Sequence, residues 1–160
     1  MAYEVSTTIE IAATPENVWA VLADLASYPK WHPAFVGVTG QLAAGSTLTI
    51  TTTHPTSGRT MTAKVKVLTA EPGTELRWVS RLLGVTISKR VFRLSPTADG
   101  TSLLQTGTYR GLGGGRGRAM TKVIGRIQDS FVAINQAIKE QAETRQRASG
   151  IGLSTAGGRS

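Results

Sequence analysis

Residues 119–147 read AMTKVIGRIQDSFVAINQAIKEQAETRQR. The apolar residues Met120, Ile124, Ile127, Phe131, Ile134 and Ile138 recur at alternating spacings of four and three. That spacing places one stripe along one face of an α-helix. Lys122, Arg126, Asp129, Lys139, Glu140 and Glu143 fall off the stripe. At 1.5 Å per residue the segment would run roughly 42 Å, about the diameter of a small domain, so its packing partner must be long too. No second helix of that length stands upstream. What precedes it is a series of β-like runs, so the natural partner is a curved sheet. A dimerising coiled coil is the alternative, but the heptads last only a few turns.

The chain has 160 residues, one ordinary domain with room for a core. Hydrophobic residues make up 40% and charged ones 18%, and no apolar run of about 18 residues exists, a pattern expected of a soluble globular protein without a transmembrane segment. The start, MAYEVSTTIEI, alternates like a strand and lacks the basic and apolar blocks of a secretory signal. The absence of cysteine excludes disulfides, thiolate nucleophiles and Cys-based metal sites, and fits a cytoplasmic location. The net charge of +8 admits a nucleic-acid, anionic-membrane or acidic-ligand partner. Only Arg116, Arg118, Lys122 and Arg126 cluster, and no aromatic residue interleaves there to stack on bases, which argues against nucleic acid.

Tyr3–Ala12 has period two and reads as a strand. Thr14-Pro15-Glu16 then supplies a side-chain cap, a proline at the first helical position and an acid in the first turn. A short helix follows, interrupted around Asp24. Tyr28-Pro29-Lys30-Trp31-His32-Pro33 should close it, since each proline pushes the preceding residue out of the helical region. Turn signals at 43–45, 55–58, 71–73, 83–84 and 98–100 separate runs near 35–41, 46–54, 59–70, 74–82, 85–95 and 101–110, rich in Val, Ile, Thr and Leu. Such short connections imply antiparallel neighbours. The reading is α+β: seven strands, two short helices after strand one, and the long helix last. Gly111–Gly117 has no GK[ST] ending and holds Arg116 where a dinucleotide fingerprint needs its third glycine, so it reads as a joint before the helix. Residues 1–147 form the expected domain, and 148–160, rich in Gly and Ser, a disordered tail.

Three stretches resemble the SRPBCC superfamily of START-like helix-grip domains. IEIAATPENVWAVLADLASYPKWHPAF resembles its opening, RTMTAKVKVLTAEPGTELRW its central hairpin, and FRLSPTADGTSLLQTGTYRG its closing hairpin; AINQAIKEQAE is similar to its last helix. The resemblance spans about residues 3 to 145. It implies a seven-stranded antiparallel curved sheet wrapped around the C-terminal helix, with a cavity between them. It also implies a small hydrophobic ligand of polyketide, lipid or quinone type, and no cofactor. A polyketide cyclase/dehydrase-like lyase or isomerase is one version and a lipid carrier the other. Some members of the superfamily assist chaperones or ribosomes, so a basic outer surface acting as an interaction module is the second reading.

Alternation along strands then sorts candidate wall residues. Thr86, Ser88, Arg90, Phe92 and Leu94 share a face, as do Leu76, Trp78 and Ser80; Met61, Ala63, Val65 and Val67; Leu103, Gln105, Gly107 and Tyr109; and Leu48, Ile50, Thr52 and His54. If these rows face inward, the cavity is apolar with a few polar groups, as a small-molecule site requires. Arg90 and Tyr109 would polarise carbonyl oxygens, with His54 or a water moving protons. Trp78, Ser88, Phe92, Gln105 and Met61 would touch the ligand, joined by Met120, Ile124 and Ile127 from the helix. Each has a plainer role open to it: Arg90 at the rim, Tyr109 in the core with a wet hydroxyl, His54 on an exposed turn, Trp78 in the core. His32 should tie down its own turn through a backbone hydrogen bond. Inward positions hold no carboxylate, and two distant histidines make no metal centre.

Overall fold

A computed structural model describes residues 2–53, 57–110 and 118–157, apart from the side chains of Ala2, Leu82, 118–120 and 150–157. Alternating residues make β1 (Ala2–Ile11), which leads into α1 (Pro15–Ala23). Thr14 caps α1 as its position predicts, its hydroxyl accepting from the Asn17 N–H at 3.3 Å. A 3-10 turn (Leu25–Ser27) and α2 (Tyr28–Trp31) follow. The expectation for the prolines holds at His32, which is extended before Pro33, and fails at Tyr28, which is helical before Pro29. Burial decides against the local preference: Tyr28 is 2% exposed and donates its hydroxyl to the Leu22 carbonyl.

Strands β2 (Phe35–Thr39), β3 (Thr47–Thr53), β4 (Thr60–Glu71), β5 (Glu75–Leu82), β6 (Val85–Thr97) and β7 (Gly100–Arg110) then form one sheet with β1. Every pairing is antiparallel, in the order β1-β7-β6-β5-β4-β3-β2. The first two strands are therefore opposite edges, and the α1–α2 insert crosses from one to the other. Register shifts interrupt β2 after Phe35, the β4–β5 ladder at Val67–Thr69 and the β5–β6 ladder at Ser80–Arg81. Such bulges sharpen the curl of a sheet. The β4–β5 ladder ends at the pair Lys66–Val79 although β4 begins six residues earlier and β5 continues to Leu82.

The last element, α3 (Arg118–Gly157), runs parallel to β1. Gln128 donates to the Ser6 carbonyl, Asn135 to that of Thr7 and Lys139 to that of Glu10, while Gln146 accepts from the Thr14 N–H. These contacts spread 18 residues of helix, about 27 Å, along the chain from Ser6 in β1 to Thr14 just beyond it. The helix passes Arg147, where the sequence reading ended it, and continues to Gly157. Gly150 and Gly152 each cost about 1 kcal/mol relative to alanine, yet no proline stops the helix.

The stripe on α3 meets the inward rows of the sheet. Phe131, Ile134, Ile138 and Ala142 are buried, as are Leu48, Val67, Leu76, Phe92, Leu94 and Leu103. Each large apolar side chain so covered contributes about 1.5–3 kcal/mol. Gly107 on β7 is what lets the helix approach: a Cβ there would stand 2.5 Å from Phe131 Cζ. At the β5–β6 turn both Leu83 and Gly84 have positive φ, 50° and 80°. Leucine pays about 1 kcal/mol or more for that conformation, which glycine adopts freely.

Candidate functional site

The inward rows part toward one end of the sheet and leave a cavity of about 220 Å³. Phe35, Ile50, Val65 and Trp78 give it apolar walls, and Thr52, Ser80, Ser88, Arg90 and Tyr109 its polar groups. Ser80, Ser88 and Tyr109 are register partners in turn across β5, β6 and β7, so these three sit at one level, with Arg90 two residues on from Ser88. Ala63, also on the wall, is exposed, and Met61 two residues before it is 56% exposed; this end is the mouth.

Arg90 is the centre of the arrangement. Its half-buried side chain donates from Nη2 to the Tyr109 hydroxyl at 3.3 Å, and its guanidinium carbon lies 4.7 Å from the Phe131 ring centroid. Among the described residues no carboxylate pairs with it. Glu75, by contrast, pairs with both Arg77 and Arg93, at 2.6 and 3.2 Å. A cation held against an aromatic face, with apolar walls and no counter-ion, is a ready partner for a carbonyl, enolate or carboxylate oxygen.

The floor near Phe35 is set by His32. Its Nδ1 accepts from the backbone N–H of Ala34 and Phe35 at 3.1 and 2.9 Å, the tie expected from the sequence. Its ring stacks on Phe35 with centroids 3.9 Å apart. Burial, reinforced by the Arg90 charge, pushes this imidazole down to about 3. It is therefore neutral at ordinary pH, with its one basic nitrogen already engaged. Burial and the Asp24 charge push the Tyr28 phenol up, against the smaller opposing pull of Arg90, so Tyr28 stays a neutral donor to Leu22. Neither ring serves as a proton carrier. Among the described residues the cavity offers donors and a cation but no general base.

Four of the residues predicted for the site, Arg90, Tyr109, Trp78 and Ser88, meet in this cavity. Of the others, those described stand elsewhere. Phe92 is 3% exposed and packs in the core with its ring 5.6 Å from that of Trp78. Gln105 is fully buried one register step below Gly107, and among the described residues neither of its amide atoms has a partner. Met61 sits at the mouth rather than on the wall, and Ile124 and Ile127 are half-buried on the first turns of α3, away from the lining. His54, the Met120 side chain and the Gly111–Gly117 joint lie outside the described residues. Phe35 and Lys89 line the cavity without having been expected. A bulge after Phe35 turns it inward, and bulges are not legible from period two.

Fold and cavity together define a helix-grip domain with an internal pocket. The chain belongs to the family described as polyketide cyclase / dehydrase and lipid transport, whose sequence profile matches residues 2–141. No curated protein matches the sequence significantly. Among solved structures it is similar to the di-domain aromatase/cyclase StfQ of the steffimycin biosynthetic pathway, with 16% identity and a TM-score of 0.75 over 91% of this chain. This chain spans 52% of that protein's length. The Zhui aromatase/cyclase from Streptomyces sp. R1128 matches with 21% identity and a TM-score of 0.70 over 94% of this chain and 99% of its own. A protein from Nitrosomonas europaea matches with 17% identity and a TM-score of 0.71 over 90% of this chain and 96% of its own. At these identities the likeness is one of fold.

Proposed function

We propose that the cavity binds a small, mostly apolar molecule of polyketide, lipid or quinone type through one oxygen-bearing end. The observation that carries this is the Arg90 guanidinium, held by Tyr109 and Phe131, facing apolar walls with no carboxylate partner among the described residues. The walls supply affinity, and Arg90, Tyr109, Ser80 and Ser88 orient the polar end. A volume of about 220 Å³ is below the range of roughly 300–1,000 Å³ usual for drug-sized ligands, so the guest is compact or the mouth widens to admit it.

If the protein is an enzyme, the same groups serve a cofactor-independent cyclisation or dehydration. Arg90 and Tyr109 stabilise the negative charge that grows on a carbonyl oxygen as a neighbouring carbon loses its proton. His54, or a water, is the proton acceptor this version requires. In the carrier version Arg90 and Tyr109 only anchor the guest.

The test is a titration of tryptophan fluorescence with polyketides, quinones and fatty acids, which Trp78 on the wall reports, alongside native mass spectrometry of protein purified from its own source. Arg90→Ala is expected to weaken binding at least tenfold, the scale of one charge-assisted hydrogen bond lost. Unchanged affinity and turnover in Arg90→Ala would remove Arg90 from both versions.

A further inference from the structure

The apolar tip of the β5–β6 hairpin has no role in the fold. Leu83 is 96% exposed, in a backbone conformation that favours glycine, and Val85 beside it is 57% exposed. The last register pair between β6 and β7 is Ser88–Tyr109 and the described part of β7 ends one residue on at Arg110, so Val85, Thr86 and the turn lie past that end by two residues, about 7 Å. This is the cavity end of the molecule, where Met61 is also exposed.

Charge is divided along the same axis. Six exposed cations, Arg59, Lys64, Arg81, Arg110, Lys122 and Arg126, lie on the half of the molecule around the mouth, with Glu4 and Asp129 as the acids there. Glu10, Glu71, Glu75, Asp99, Glu140 and Glu143 lie toward the opposite end, where β1 and α3 finish and the β4–β5 and β6–β7 turns fall. These six cations and two acids leave the mouth half a net +4, whereas Arg93, Lys139, Arg145 and Arg147 offset most of the acids at the opposite end.

We infer that the mouth face docks on an anionic lipid bilayer, with Leu83 and Val85 entering the interface and the ring of cations meeting the headgroups. Protruding apolar side chains encircled by Lys and Arg are the chemistry of a peripheral membrane contact. An RNA would use the cations alone and gain nothing from an exposed leucine; the mouth face also lacks an exposed aromatic ring, among the described residues, to stack on bases. Docking would place the cavity opening against the layer in which apolar guests dissolve. This inference rests on the ligand-binding reading for its purpose but not for its test.

The probe is vesicles of phosphatidylglycerol and phosphatidylcholine in equal parts, against vesicles of phosphatidylcholine alone, read by co-sedimentation of the full chain at low and high salt. Wild type is expected on the anionic vesicles only, with binding reduced by salt. Arg81→Glu should weaken it roughly fivefold or more, the scale of one cation near a charged surface. Leu83→Gly relieves the turn, so the folded protein is at least as stable while its partitioning falls roughly tenfold. Arg147→Glu, on the far part of α3, should change nothing. No binding by wild type, full binding by Leu83→Gly, or equal loss in Arg147→Glu and Arg81→Glu would each overturn the inference. Loss of guest binding in solution by Arg90→Ala, with vesicle binding intact, separates this surface from the cavity.

Discussion

The guanidinium of Arg90 lies 4.7 Å from the centre of the Phe131 ring, a sheet cation resting on the face of a helix aromatic. The pair joins β6 to α3 at the level of the cavity. Phe131→Leu keeps the apolar contact and removes the π face, and a double-mutant cycle with Arg90→Met is expected to show a coupling of about 0.5–2 kcal/mol in urea unfolding. A coupling near zero would show that the ring supports Arg90 only by packing.

Gly107 is required by that same contact. A methyl group there meets Phe131 Cζ at 2.5 Å and the Tyr109 ring at 3.0 Å, and the Phe131 ring is fully buried in a packed interior. Gly107→Ala should destabilise the protein by about 1–3 kcal/mol. Adding Phe131→Leu should return part of the loss, measured as recovery of the thermal midpoint.

His32 makes stability depend on pH in one direction. Its imidazole titrates near 6.5 in an unfolded chain and is pushed down to about 3 in the fold, so between those values the unfolded chain binds more protons. Stability is therefore level above about pH 6.5 and declines as the pH falls toward 3, at up to about 1.4 kcal/mol per unit. His32→Asn keeps an acceptor for the Phe35 N–H and removes the titration. Urea midpoints between pH 7.5 and 4 should fall less steeply for this variant than for wild type; parallel slopes would exclude His32 as the source.

Gln105 presents a buried amide whose oxygen and nitrogen both lack partners among the described residues, and Asn135 Oδ1 is in the same state. Desolvating such a group costs about 1–3 kcal/mol. Gln105→Met, similar in volume and apolar, is expected to raise stability by about 1 kcal/mol or more in urea unfolding. If guest affinity falls at the same time, Gln105 takes part in binding; a loss of stability would show that its amide is satisfied in solution.

The fold was legible because its signals are periodic. Val65 and Val67, Leu76 and Trp78, and Phe92 and Leu94 face inward as alternation requires, and Thr14 begins α1 as its side chain dictates. The site was legible only in part. Alternation tells which face Arg90, Phe92 and Gln105 share, but not where along that face the core gives way to a cavity. Ser88 and Arg90 fall on the open side of that division, Phe92 and Gln105 on the filled side, and what divides them is Phe131 seated on Gly107. That seat depends on the pairing of distant elements, which no local window contains. Tyr28 was misread for a related reason, since a buried phenol bonded to Leu22 outweighs the local effect of Pro29.

The early end of the β4–β5 ladder bears on how a guest larger than the resting cavity gets in. Past Lys66 and Val79, the β3–β4 and β5–β6 hairpins are each zipped within themselves but not to one another. They form two jaws hinged on a continuous sheet. Spreading them breaks no rung between strands, so the entrance yields at low cost while the floor beneath stays stiff.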